Sequence, residues 1–67
     1  MSGAGATMAG YRLYFLDDAG RIRDAHEFDS HSDEQALTEA DARHDGRAME
    51  LWCGARVVRK ILARPPA

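Results

Sequence analysis

The fold of the chain is decided first by residues 11–20, which read Tyr11-Arg-Leu-Tyr-Phe-Leu-Asp-Asp-Ala-Gly20. The part up to Leu16 is rich in aromatic and apolar side chains and too short for a helix, a pattern typical of a β-strand. The aspartates that follow are turn residues, and Gly20 can adopt a positive φ. The stretch therefore predicts a strand and a tight turn, with residues 21–28 returning as the second strand of a hairpin.

A helix is predicted after this hairpin, from Asp33 to Asp45. Ser32 and Gln35 have the spacing of a capping box, and the first turn is acidic, as the helix dipole favours. Gly46 suits the position just after a helix. The helix has a narrow stripe of small and apolar side chains, formed by Ala36, Leu37, Ala40 and His44. We expect this stripe to lie close against a sheet.

A second hairpin is predicted from residues 47–52 and 55–61, two β-rich runs that flank Cys53-Gly54. The element order is then ββαββ, which makes the fold class α+β. A right-handed helical crossover that passes over strand 1 gives a four-stranded sheet of order 2-1-3-4, in which all neighbouring strands are antiparallel. A parallel pairing of strands 2 and 3 is the competing topology.

The 67 residues suffice for one domain. Residues 1–10 lack hydrophobic periodicity and are predicted to be a flexible leader, residues 11–62 the domain, and residues 63–67, with two prolines, a disordered tail. A domain of this size builds a core that rarely supplies more than ~3–5 kcal/mol. An internal disulfide is excluded because Cys53 is the only cysteine. Binding to a partner subunit is one way to add the stability that such a small core does not supply.

Side-chain alternation along the strands predicts two apolar faces on the sheet. With the second turn at Cys53-Gly54, the face under the helix is expected to pack against Leu37 and Ala40 and to hold Leu13, Phe15, Met49, Leu51 and Val58. The other face is expected to hold Tyr14, Leu16, Trp52 and Val57, rimmed by Arg12, Asp24, Glu50 and Arg59. Ile22 is undecided, because a bulge near Gly20 would exchange the faces of strand 2.

One helix can cover one face only, and exposed apolar patches with polar rims mark interaction sites. The sequence therefore predicts a small protein-interaction or regulatory module, most simply a homodimer. The candidate interface residues are Tyr14, Leu16, Trp52, Val57 and Arg59. In the alternative arrangement, these side chains fold back on one another or lie beneath the N-terminal arm.

The charge pattern suggests a second function. Nine basic against eleven acidic residues give a net charge of −2, which argues against general nucleic-acid binding. The C-terminal part is nevertheless basic, with Arg56, Arg59, Lys60 and Arg64. Beside Trp52 and Tyr14, these cations would suit a small binder of single-stranded nucleic acid or of another ligand.

Catalytic and metal-binding patterns are weak. The side chains with typical zinc-binding atoms show no paired spacing: His26, His31, His44 and Cys53. Acids around the helix start lack the glycine and final glutamate of an EF-hand, and Asp17-Asp18 are interpreted as turn residues. No sequence pattern places a base beside Cys53, and no glycine-rich phosphate loop precedes a helix. We therefore expect neither an enzyme nor a bound metal or cofactor.

The cellular location is predicted to be cytoplasmic. No run approaches the ~20 apolar residues of a membrane span. The N-terminus lacks the basic start and apolar stretch of an export signal. A single thiol fits a reducing compartment.

Residues 11–62 resemble short uncharacterised proteins of alphaproteobacteria, a family of unknown function. The resemblance rests on Tyr11-Arg-Leu-Tyr-Phe-Leu-Asp17 with Gly20, on the Ala-rich helix ending at Gly46, and on Glu50-Leu-Trp-Cys-Gly-Ala-Arg56. It implies no activity, cofactor or catalytic residue.

Overall fold

The computed structural model describes residues 8–64, which form a four-stranded antiparallel sheet with one helix. The elements in chain order are β1 Ala9–Leu16, β2 Ile22–Ser30, α1 Asp33–Ala42, β3 Met49–Cys53 and β4 Arg56–Ile61. The strand order in the sheet is β2-β1-β3-β4. The α+β class, the element order and the sheet order are confirmed. The competing parallel pairing of β2 with β3 is wrong, because β1 lies between these two strands.

Both ends of the folded part extend beyond the predicted domain boundaries. β1 begins at Ala9, inside the predicted leader, and Ala9 pairs with Ser30 at the end of β2. At the other end, the backbone N–H of Arg64 donates to the carbonyl of Gly46 at 2.9 Å, two residues past the predicted domain. The rest of the predicted leader and tail, residues 1–7 and 65–67, lies outside the described residues.

α1 starts as the sequence predicts and ends three residues earlier, at Ala42. The hydroxyl of Ser32 accepts a hydrogen bond from the backbone N–H of Gln35 at 3.1 Å, which caps the first turn. At the other end the N–H of Arg43 bonds to the carbonyl of Ala40, three residues back, at 3.1 Å. This tighter turn ends the helix. A helix of ten residues is only about 15 Å long.

The turn of the second hairpin lies one residue later than predicted. Its two-residue loop is Gly54-Ala55, closed by the pair Cys53 and Arg56. Gly54 has a φ of 61°, in the left-handed region that a glycine adopts at little cost. The loop is therefore built around a glycine in its first position, as two-residue hairpin turns favour.

The core lies between α1 and one face of the sheet. The large side chains that are fully buried come from the two central strands: Leu13, Met49 and Leu51. Ala36 and Ala40 of α1 are also fully buried, so the helix backbone lies close to the sheet. Tyr11 and Phe15 complete the buried cluster, and the partly buried side chains packed against it are Phe28, Leu37, Cys53, Val58 and Ile61. All five sheet residues that were predicted to lie under the helix belong to this core or pack against it.

Asp33 fixes the N-terminus of α1 to the first and last strands. The hydroxyl of Tyr11 donates to Asp33 Oδ1 at 2.7 Å, and the guanidinium of Arg56 donates to both carboxylate oxygens at 3.0 and 3.2 Å. We call these residues the Tyr11–Asp33–Arg56 clasp. The hydrogen bonds from Arg56 and Tyr11 hold the pKa of Asp33 below its usual value. The hydrogen bond to Asp33, together with burial, raises the pKa of Tyr11 to about 12.

The clasp can be tested by titrating Tyr11 in a Tyr14→Phe variant, in which Tyr11 is the only tyrosine. We expect the absorbance of tyrosinate to appear with a midpoint near pH 12, against an ordinary pKa of 10.0. Because the folded pKa exceeds the unfolded one, the contribution of Tyr11 to stability is complete below pH 10 and is lost as the pH rises towards 12. Asp33→Asn should lower the midpoint. If Tyr11 titrates at its ordinary pKa of 10.0 in a folded Tyr14→Phe protein, the clasp is contradicted.

Candidate interaction surface

The face of the sheet opposite α1, here called the open face, carries the side chains that alternate with the core. Across β2-β1-β3-β4, one row of paired residues is Glu27, Arg12, Trp52 and Val57. The next row is Ala25, Tyr14, Glu50 and Lys60. Beyond it, Leu16 pairs with Ile22. The structure thus brings four of the predicted interface residues together: Tyr14, Leu16, Trp52 and Val57.

The apolar side chains of the open face form a diagonal, which we call the apolar stripe. It consists of Ile22, Leu16, Tyr14, Trp52 and Val57. The residues at its two ends, Ile22 and Val57, are 56% and 41% exposed, and the three between them are half-buried. α1 packs on the opposite face, so no helix of residues 8–64 covers the stripe. A contiguous apolar surface with polar flanks is typical of an interaction site.

Polar contacts within the open face satisfy the polar ends of both aromatic rings. Arg12 donates to the hydroxyl of Tyr14 at 3.3 Å and pairs with Glu27 at 2.6 Å. The indole N–H of Trp52 donates to Glu50 at 3.1 Å. The hydrogen bond to Tyr14 and the charge of Glu27 raise the pKa of Arg12. Since the polar atoms are bonded within the chain, the surface that the two rings expose on the open face is mainly carbon.

A bulge in the first hairpin puts Ile22 and Asp24 on opposite faces of the sheet. Ile22 lies opposite Leu16 on the open face, and the register between β1 and β2 then shifts at Arg23. The sequence left Ile22 undecided because it does not show where such a bulge lies. Asp24, predicted at the rim of the open face, instead pairs with Phe15 and so lies on the helix side.

Arg59 is the one candidate interface residue that lies elsewhere. A bulge at Val58 makes the buried Leu51 the partner of Arg59, which places Arg59 on the helix side of the sheet. There it lines a groove with Leu37 and Asp41 of α1. The prediction differed because it had no bulge in β4: without one, Arg59 would lie opposite Glu50 on the open face even with the turn at Gly54-Ala55.

The basic residues of the C-terminal part do not gather around the aromatic rings. Arg56 is held in the clasp, Arg64 pairs with Asp41 at 3.5 Å, and Arg59 lies on the helix side. Of the four cations, Lys60 is the one that stands on the open face, opposite Glu50. The stacking surface with aligned cations that would suit single-stranded nucleic acid is therefore not formed by these residues.

Residues with metal-binding or nucleophilic atoms remain separate. Within residues 8–64, no three His, Cys, Asp or Glu side chains form a group that would hold a metal ion. His26 stacks on Phe28, with ring centroids 5.6 Å apart, and its buried Nε2 has no hydrogen-bond partner in the described part of the chain. Cys53 is half-buried at the end of β3. No helix in the described range is long and apolar enough to span a membrane.

Comparisons with protein-family models, with curated proteins and with solved structures give no match for this chain. The resemblance to a family of alphaproteobacterial proteins therefore stays a prediction. The function has to be argued from the geometry of the open face and of the edges of the sheet.

The assignment of faces is tested by placing the same charge on two neighbours in β3, Trp52 and Leu51. Trp52→Glu adds a charge at a half-exposed position, so we expect the protein to stay folded. Leu51→Glu buries an unpaired carboxylate at a fully buried position, so we expect it to abolish folding. Far-ultraviolet circular dichroism with thermal unfolding distinguishes the two. Equal loss of structure in both variants would show that Trp52 belongs to the core.

Proposed function

We propose that this domain is a small interaction module that forms a homodimer through its open face. The observation that carries the proposal is the apolar stripe, which runs diagonally across four strands without a covering element in the described residues. Burial of apolar surface is worth about 25 cal/mol per Å². Aromatic side chains such as Trp52 and Tyr14 are frequent anchors of protein interfaces.

The charges that flank the stripe favour a protein partner of the same composition. Arg12 and Glu27 lie at one corner of the open face, and Glu50 and Lys60 at the other. Each corner contains one pair of opposite charges, so two copies of the face can meet without net repulsion between these pairs. A polyanion would find as many acidic as basic groups here, which is a poor match for phosphates.

The size of the core gives the association a thermodynamic role. Among residues 8–64 the buried cluster contains seven side chains, two of them alanines. A core of this size supplies little stability, and binding of a partner to the folded state alone adds to it by mass action. The free energy of unfolding is therefore expected to rise with protein concentration.

Analytical ultracentrifugation over a range of concentrations tests the proposal. We expect the wild-type chain to dimerise and Trp52→Glu to remain a monomer, because the new carboxylate would be buried in the interface. Thr38→Glu is the matched control, since it adds the same charge on the exposed side of α1, and it should dimerise like the wild type. A wild-type chain that is monomeric at every concentration, with no response to Trp52→Glu, would refute the proposal.

A further inference from the structure

We propose that the second copy is joined through the edges of the sheet, with the basic strand β4 of each copy beside the acidic strand β2 of the other. The two sheets then form one closed, eight-stranded antiparallel barrel, with the open faces inside and the helices outside. This inference rests on the homodimer proposed above and specifies its geometry.

Both outer strands have an unused edge. In residues 8–64, β2 is paired with β1 only and β4 with β3 only. Each therefore presents a row of backbone N–H and C=O groups that a further strand can pair with. β2 has nine residues and β4 has six, so a joint along the whole of β4 would be about 20 Å long.

The charges of the two edge strands are opposite. β4 contains three basic residues and no acid, in Arg56, Arg59 and Lys60. β2 contains one basic and three acidic residues, in Arg23, Asp24, Glu27 and Asp29. Pairing β4 with β4, or β2 with β2, brings like charges together, whereas pairing β4 with β2 brings opposite charges together. The charges of the edge strands therefore disfavour joining two copies by β4–β4 or β2–β2 pairing and favour β4–β2 pairing.

The directions of the strands permit the mixed joint. β1 is antiparallel to β2 and to β3, and β3 is antiparallel to β4, so β4 and β2 run in opposite directions. If the two copies are related by a two-fold axis parallel to the strands, each strand keeps its direction in the second copy. β4 of one copy is then antiparallel to β2 of the other. The same axis forms the second joint at the other side, and the assembly closes without a remaining edge.

The shape of the sheet also supports closure. Each edge strand carries a bulge, at Arg23 in β2 and at Val58 in β4, and bulges increase the twist and bend of a strand. Four strands about 4.8 Å apart and six residues long make a flat face of roughly 400 Å². A standard interface buries about 800 Å² on each partner, so the edges are needed beside the face. The interior of an eight-stranded barrel is narrow enough for side chains to fill.

The test reverses the charges of one edge at a time and measures the dimer dissociation constant by ultracentrifugation. Arg59→Glu reverses a charge of β4 and Asp24→Lys reverses a charge of β2, and both positions lie on the helix side of the sheet, so the charges of the open face stay unchanged. We expect each variant alone to dimerise at least tenfold more weakly than the wild type. A mixture of the two is expected to form a heterodimer, and the chain with both changes is expected to regain the homodimer. Arg43→Glu, directly after the last residue of α1 and in neither edge strand, is the control and should behave as the wild type.

The outcomes separate the two proposals. A dimer that Trp52→Glu abolishes and edge reversal leaves unchanged would overturn the edge joint but keep association through the open face. A monomeric wild type would overturn both. Assemblies that grow beyond two chains would overturn the closed arrangement. If a variant fails to fold, the salt dependence of the wild-type dimer is the test. Its dissociation constant should rise with salt concentration, and a salt-independent dimer would overturn the edge joint.

Discussion

A single short helix above a four-stranded sheet is the constraint on which the rest of this structure depends. α1 has ten residues and lies on one face, where Leu13, Met49 and Leu51 are fully buried beneath it. The alternating side chains on the other face have no such cover in the described residues. Because Tyr14, Leu16 and Trp52 alternate with the core along β1 and β3, the same strands that build the core also create the apolar stripe.

Hydrogen bonds and ion pairs hold one end of the helix and balance the charges beside the apolar stripe. The Tyr11–Asp33–Arg56 clasp uses the acid of the first helical turn to join α1 to β1 and β4. Arg56 lies on the helix side of the sheet, opposite Cys53, and so is not part of the open face. On the open face Arg12 and Glu27 form an ion pair. The polar atoms of Tyr14 and Trp52 in the stripe are hydrogen-bonded to Arg12 and Glu50. The surface left for association is therefore apolar in the middle and charge-balanced at its flanks.

The features of the fold that depend on local sequence patterns could be predicted from the sequence. Alternation placed Leu13 and Phe15 of β1 in the core, and the cap at Ser32 predicted the start of α1. The bulges at Arg23 and Val58 were not predicted, because a bulge depends on how two strands fit and not on one strand alone. They put Asp24 and Arg59 on the helix side, whereas Ile22, between the turn and the first bulge, lies opposite Leu16 on the open face. The clasp was missed for a similar reason, since Tyr11 and Asp33 are 22 residues apart.

The central claim is that a second copy covers the apolar stripe in solution. Isotope-filtered nuclear Overhauser spectroscopy on a mixture of labelled and unlabelled chains observes such contacts directly. The account predicts contacts between chains from the protons of Trp52 and Tyr14, and between the backbones of β4 and β2. If contacts to these rings arise only within one chain, at concentrations well above those of the sedimentation experiment, the stripe has no second copy on it and the account is contradicted.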